Sequence, residues 1–345
     1  MKRILLSLVT MMVCVTTWAA EGYAVFTANT GTLTFYYGTK PSGAFSIDNI
    51  ETNGYPDWYK MGTYAAVTRV VFDASFAQAR PKTTQFWFYK MEKLTTITGM
   101  QYFNTSESTN MMMMFEGCQK LTSIDLSHFN TAKVINMSQM FQSCDALTSL
   151  DLSSFNTSKV TSMSQMFFAC SELASIKMNS FNTSNVSTMF SMFLGCSKLT
   201  SLDMSTFNTA KVTDMRFMFY SCEKLKTIIV DKNWSTAAVT ASNGMFSLCS
   251  SIVGGAGTTY DSNHLDASYA HIDGGPSNPG YLTGKTGLRG DVNGDGKVNV
   301  SDVSTLINMI LGITPVNKTR ADVNGDGKVN VSDVTALINI ILGIN

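Results

Sequence analysis

The stretch LTSLDLSSFNTSKVTSMSQMFFAC, Leu147 to Cys170, decides the fold, because it returns almost unchanged on both sides of itself. The same pattern begins at Leu121, Leu173 and Leu199, a period of 26 residues, and weaker copies begin near Val67, Leu94 and Leu225. The array therefore spans about residues 67–252, roughly seven units, which is enough to build a continuous core by stacking. Within a unit, Leu147, Leu150 and Leu152 follow an L-x-x-L-x-L spacing that puts alternate side chains on the inner face of a short strand. Val160, Met163, Met166, Phe167, Cys170 and Leu173 then step by three or four residues, and this spacing predicts a short helix with one buried face. The repetition also accounts for 22 Met and 21 Phe in one chain: they are core residues, each stacked on its counterpart in the next unit.

Six cysteines, Cys118, Cys144, Cys170, Cys196, Cys222 and Cys249, fall once per unit. Equal spacing with no C-x-x-C pair predicts a ladder of buried free thiols. The FNT triplets at Phe129, Phe155, Phe181 and Phe207 mark the corner between strand and helix. Here Phe fills the core, the Asn amide is expected to bond backbone groups of adjacent coils, and a following Thr or Ser is expected to cap the helix. Small polar residues such as Ser149, Asp151 and Ser153 line the outer strand face, a surface suited to a glycan or an extended polypeptide.

Before the array, residues 1–20 have the layout of a secretory signal peptide: Lys2 and Arg3, an apolar run from Ile4 to Val15, then small residues. Without Lys2 and Arg3 the chain keeps 23 of its 25 basic residues against 25 acidic ones, a balance that does not suit nucleic acid. Residues 21–66 form a β-rich cap that opens with a hairpin around Asn29 to Gly31. Residues 253–284, rich in Gly, Pro and Ser near Gly274 to Gly280, close the other end, and 285–289 link to the tail.

The tail, residues 290–345, has its own period of 31: DVNGDGKVNVSDVSTLINMILGI from Asp291 and DVNGDGKVNVSDVTALINIILGI from Asp322. Each loop places oxygen donors at positions 1, 3, 5, 9 and 12, namely Asp291, Asn293, Asp295, Asn299 and Asp302, then Asp322, Asn324, Asp326, Asn330 and Asp333. Lys297 and Lys328 add a backbone carbonyl at position 7, and Gly296 and Gly327 allow the sharp turn at position 6. Alternating oxygens of this number suit Ca²⁺ better than the tight octahedron of Mg²⁺, so two Ca²⁺ ions are expected. The apolar residues Val303, Leu306, Ile307, Ile310 and Leu311, repeated at Val334, Leu337, Ile338, Ile341 and Leu342, predict two helices packed on each other.

Two resemblances follow from these motifs. Residues 22–284 resemble the BspA-like leucine-rich-repeat surface proteins, both in repeats such as LTSLDLSSFNTSKVTSMSQMF and in the flanking segments VVFDASFAQARPKTTQFWFYKMEKL and VGGAGTTYDSNHLDASYAHIDGGPSNPGYLTG. Residues 290–345, loop then helix twice over, look like a type I dockerin. Together they imply an α/β leucine-rich-repeat-like solenoid of 26-residue strand-plus-helix repeats, followed by a small all-α calcium-binding dockerin-like domain.

The dockerin resemblance also implies a partner, a cohesin-like domain on another protein. By residue, the family's recognition positions fall on Val300, Ser301, Ile307 and Asn308, and on Val331, Ser332, Ile338 and Asn339. Cellulosomal members often carry Ser and Thr, and basic residues, at these positions, so the departures imply a more apolar contact. The surface-protein resemblance implies a secreted or cell-surface binding or adhesion role with a protein or glycan ligand.

A second reading makes the chain a structural surface component whose tail is an intramolecular, calcium-stabilised cap. A third is an extracellular polysaccharide-degrading enzyme, since dockerin tails accompany hydrolases of polysaccharide catabolism. With three His in all and no nucleophile motif standing apart from the repeats, no catalytic residue is assigned and a non-enzymatic protein is expected.

Overall fold

The structure, a computed structural model, describes residues 19–47, 54–285, 290–293 and 298–344. Most of the expected signal peptide, residues 1–18, lies outside the described residues, as do linker residues 286–289 and loop residues 294–297.

The N-terminal end is the expected hairpin, β1 (Glu21–Thr27) on β2 (Thr32–Gly38), with β3 (Phe45–Ser46) on the far edge of β1. After α1 (Asp57–Lys60), the array begins with β4 (Arg69–Phe72), which pairs in parallel with β2, and β5 (Thr96–Thr98) then adds to β4. Parallel pairing between coils offset by one repeat is what stacking requires: Arg69 faces Thr96. In β6 (Ser149–Asp151) and β7 (Ser175–Lys177), Ser149 faces Ser175. In β8 (Ser201–Asp203) and β9 (Thr227–Val230), Ser201 faces Thr227. The C-terminal segment returns to the same sheet, where β10 (Thr283–Gly284) pairs in parallel with β9. Among the described residues the strands thus form three separate sheets along the array; the N-terminal hairpin covers an edge of the first and β10 covers an edge of the last.

The expected helix in each repeat is absent, and the fold expectation is corrected at that point. A continuous parallel bridge runs Asn110, Asn136, Ser162, Thr188, Asp214 and Ala241, one residue per coil. Beyond it the chain advances as a ladder of turns. Met137, Gln139, Phe141 and Ser143 donate their N–H groups to the carbonyls of Ser162, Ser164, Met166 and Phe168 in the next coil, at 3.3, 2.9, 2.9 and 2.8 Å. The alternate residues Met140, Gln142 and Cys144 donate within their own turns, to Met137, Gln139 and Phe141. A helix would need every one of these N–H groups to reach back four residues, so half of the helix's hydrogen bonds go to the neighbouring coil instead.

Buried side chains at three- and four-residue steps serve a turn ladder as well as a helix, so the apolar period could not separate the two. The bridge residues do separate them. Asn136 and Asp214 accept the N–H two residues on, from Ser138 at 2.8 Å and Arg216 at 3.0 Å, a local bond that competes with helix formation. The ladder also needs left-handed backbone. Gln139, Gln165, Ser191 and Phe217 share one such slot and Ser143, Ala169 and Ser221 another, with Gly117 and Gly195 taking the second slot in their coils.

The core is a set of side-chain columns. Phe115, Phe141, Phe167, Phe193, Phe219 and Phe246 are fully buried, with successive ring centroids 5.4 to 5.9 Å apart and rings near parallel. Tyr281 of the C-terminal cap ends this column edge-on to Phe246 at 5.1 Å. At the other end, Trp87 and Phe35 stack at 5.2 Å, and the Trp58 indole N–H bonds the Trp87 carbonyl at 2.7 Å.

The six array cysteines are free and buried, and each thiol donates to a Phe carbonyl of the preceding coil, as from Cys170 to Phe141 at 3.0 Å. Burial pushes the Cys170 and Cys249 thiols up to about 12.

The FNT corner works differently from the sequence expectation. The Thr hydroxyl, rather than the Asn amide, ties coils together: buried Thr157 donates to the Asn182 carbonyl at 2.9 Å and accepts the Asn182 N–H at 2.8 Å. The Asn side chain closes a local turn, Asn156 Oδ1 accepting from Ser158 N at 3.0 Å. With no helix to follow, no Thr acts as a helix cap there.

Candidate metal centre and docking surface

The tail has its own hydrophobic cluster, in which Leu306 and Leu337 are fully buried with Val292, Ala321, Val323 and Met309 around them. Leu306 lies on α2 (Val300–Ile310) and Leu337 on α4 (Val331–Leu342). A one-turn helix, α3 (Lys318–Ala321), enters the second loop, an addition to the loop-then-helix order expected from the sequence. Val292 and Val323, at loop position 2, were also missed, although an apolar residue repeated at one slot of two polar loops is a legible core signal.

Only half of the expected helix stripe is inside. Ile307 and Ile338 are each 41% exposed and Leu311 and Leu342 more so, which corrects the view that the whole stripe packs between the helices. Both helices begin with a capping box, in which Asn299 and Asn330 accept the N–H groups of Ser301 and Ser332 at 2.8 Å.

The loops gather carboxylates in an unusual setting. Asp302 and Asp333 are fully buried and Asp291 is 3% exposed. Among the described residues, Asp333 takes the N–H groups of Asn324 at 3.0 Å and Asn330 at 2.9 Å, and Asp302 takes those of Asn293 and Asn299 in the same way. Backbone N–H bonds engage one lone pair of each oxygen and leave further acceptor capacity.

In the second loop, Asp322 Oδ2 accepts the N–H of Gly327 at 2.8 Å, while its Oδ1 is buried with no hydrogen-bond partner. A buried, unpartnered carboxylate oxygen is costly unless a cation meets it. Asn324 lies between Asp326, at 3.0 Å, and Asp333. Hydrogen bonds from Lys328 N and the Asn324 amide hold the Asp326 carboxyl below its usual range. Gly327 adopts φ +82°, the left-handed turn expected of position 6.

Among the described residues, no three His, Cys, Asp or Glu side chains converge as a metal cluster, and the oxygen-bearing side chains of the two loops are Asn amides as well as carboxylates. That oxygen-only mixture is what a calcium loop uses. Asp295 and Lys297, expected donors of the first loop, and Gly296 lie outside the described residues.

The expected partner positions are on the surface. Val300 and Val331 are 70% and 69% exposed at equivalent first-turn sites, and Asn339 is exposed beside Ile338. Asn308, the matching residue on the first helix, is half-buried. Ser301 and Ser332 are exposed residues whose hydroxyls accept the Asn293 and Asn324 amides at 3.1 and 2.8 Å, so they also hold the loop to the helix. No described helix is long and apolar enough to cross a membrane.

No curated protein matches the chain. Two solved structures are similar. One, a leucine-rich repeat protein from Bacteroides ovatus ATCC 8483, has 14% identity and a TM-score of 0.32 over 68% of this chain and 80% of its own. The other, a leucine-rich repeat protein from Eubacterium ventriosum ATCC 27560, has 15% identity and a TM-score of 0.18 over 71% of this chain and 97% of its own.

The family model for the type I dockerin domain matches residues 289–342, and this class binds calcium and docks to cohesins. The model described as "Mycoplasma protein of unknown function, DUF285" matches residues 82–175 and 145–256. Those matches together cover residues 82–256, just over half of the chain, so the protein belongs to the DUF285 family and carries a type I dockerin domain at its C-terminal end.

Proposed function

We propose that this is a secreted or cell-surface binding protein, in which the repeat array engages a protein or glycan ligand and the dockerin domain docks, with calcium, to a cohesin-like partner. The observation that carries the reading is the duplication in the tail: two capped helices present the same exposed apolar pair, Val300 with Ile307 and Val331 with Ile338, each rising from a loop with a buried position-12 carboxylate.

Two Ca²⁺ ions would be held by the two donor sets, Asp291, Asn293, Asp295, Lys297, Asn299 and Asp302 in the first loop and Asp322, Asn324, Asp326, Lys328, Asn330 and Asp333 in the second. Bound calcium supplies positive charge to carboxylates that otherwise repel one another. The partner surface is Val300, Ser301, Ile307 and Asn308 together with Val331, Ser332, Ile338 and Asn339. Two near-equal helices give the partner two equivalent ways to bind. The separate hydrophobic cluster of the tail supports its acting as a module beside the array.

The test is a pull-down from envelope and culture fluid with the full chain and with a chain ending at residue 285, each in Ca²⁺ and in EDTA. A partner held only by the full chain and only in Ca²⁺ is expected. Recovery of nothing by a calcium-loaded full chain would favour the tail as an intramolecular cap.

A further inference from the structure

The outward side chains of the turn ladder break the repeat in a consistent direction. At the slot held by Ser138 and Ser164 stand Phe190 and then Arg216; at the slot held by Gln139 and Gln165 stands Phe217; at the slot held by Gln142 stand Phe168 and Tyr220. All four rings are half-buried, so each exposes part of its surface.

They are also organised. Phe217 meets Phe190 at 6.3 Å and Tyr220 at 5.9 Å, both edge-on. The Arg216 guanidinium lies 5.2 Å over Phe190 and is fixed there by two bonds to Asp214, at 3.0 and 2.7 Å. Toward the other end of the same face runs a chain of polar groups. Gln139 donates to Gln142 at 3.0 Å, and Gln142 donates to Glu116 Oε1 at 3.3 Å. Glu116 is 9% exposed, and its Oε2 is buried with no hydrogen-bond partner.

The backbone beneath these side chains is saturated. Its N–H groups go alternately to the next coil and to their own turns, and the carbonyls are used in return. An extended polypeptide added by main-chain pairing would find no free ladder here. Recognition on this face must run through side chains: the part-exposed ring faces and the amides of Gln139 and Gln142, which Glu116 anchors from beneath. Pyranose rings complement that set, with apolar faces that stack on aromatic rings and hydroxyls that bond side-chain amides. Arg216 is already paired with Asp214, so the ring cluster offers no free cation to select an acidic chain.

We propose that the turn-ladder face of the array, from Glu116 to Tyr220, binds a neutral polysaccharide chain laid across successive coils. The inference rests on the reading of the array as the ligand-binding part, and it moves the contact from the strand face to the turn face.

The experiment is affinity electrophoresis of the full chain in native gels containing amylose, xylan or mannan, with heparin as a charged control. Retardation by at least one neutral polysaccharide is expected. The variant Phe190→Ser/Phe217→Gln/Tyr220→Gln borrows residues that other coils use at the same slots. With an unchanged melting curve, it should bind about tenfold or more weakly, as removal of stacking contacts predicts. Phe168→Gln alone is the second variant, should the triple one fail to fold.

Free migration in all three neutral gels, retardation by heparin alone, or equal retardation of the folded variants would overturn the proposal. Loss of retardation on changing Ser149 and Asp151 instead would overturn the placement while leaving the array as the binding part. The calcium-dependent pull-down reads the tail separately, so the two readings can fail independently.

Discussion

Thr157→Val tests the corrected account of the coil corner. The substitution keeps shape and removes one hydroxyl from a fully buried side chain. That hydroxyl makes two bonds to the next coil, 2.9 Å to the Asn182 carbonyl and 2.8 Å from the Asn182 N–H. Each lost bond costs about 0.5–1.5 kcal/mol, and a main-chain group left without a partner adds to that, so a loss of about 2–3 kcal/mol is expected. Asn156→Ala removes only an exposed turn bond, from Ser158 N at 3.0 Å, and should cost about 0.5–1 kcal/mol.

Because stability in a stacked array is local to a coil and its neighbours, hydrogen exchange read on peptides covering residues 147–199 is the fitting assay, with urea unfolding beside it. The Val variant should lose protection on both sides of the Thr157 corner and the Ala variant little. If the Ala variant proves the more damaging, the hydroxyl is not the tie between coils and the reasoning fails.

Further outcomes follow from other parts of the structure. Burial pushes the Asp273 carboxyl up, but the Thr258 N–H and hydroxyl and the Gly275 and Ala256 N–H groups outweigh it and hold it well below the carboxylate range. Its stabilisation is therefore present above the unfolded value, about pH 4, and is lost as pH falls below it. Asp273→Asn should loosen the cap by about 3–5 kcal/mol, read as faster exchange at Phe246 and Tyr281, and an unchanged cap would refute it. The buried thiols act in the opposite sense: their raised values favour the fold below about pH 8.5, and stability should fall as pH rises beyond that. Thiol titration should find the six array cysteines unreactive in the native protein and all reactive in denaturant. Ala169 sits at φ +57°, where Gly195 serves the next coil, so Ala169→Gly should raise the melting temperature, by up to about 1 kcal/mol of stability. Chelation of the full chain should speed exchange in residues 298–344, by an amount near 2.7 kcal/mol if Ca²⁺ stood at about 100 times its Kd. Asp322→Ala should abolish that dependence in the second loop.

The sequence by itself determined what is local or periodic. The repeat length, the inward Leu and Phe columns, the hairpin at Asn29 to Gly31 and the two duplicated loops could all be read directly, because each is specified by residues close in the chain or by strict repetition. What it left undecided were choices made between coils. The spacing Val160, Met163, Met166, Phe167 and Cys170 fits one buried face whether the backbone is a helix or a run of turns. Only the neighbouring coil, offering its carbonyls to every second N–H, tips the balance. The bridge residues Asn136 and Asp214 carried a weak signal of this in their preference for local side-chain bonds.

The Thr157 rung and the Asp273 clamp were hidden for a related reason. Their partners lie 25 residues away in the first case and up to 17 away in the second; the FNT repeat marks Thr157 without showing which of its polar groups crosses to the next coil, and nothing in the sequence marks Asp273. The same holds in the tail, where loop chemistry was plain but the exposure of Ile307 and Ile338 was not. An apolar stripe shows which residues can be buried, and only packing against a partner of finite width decides which of them are.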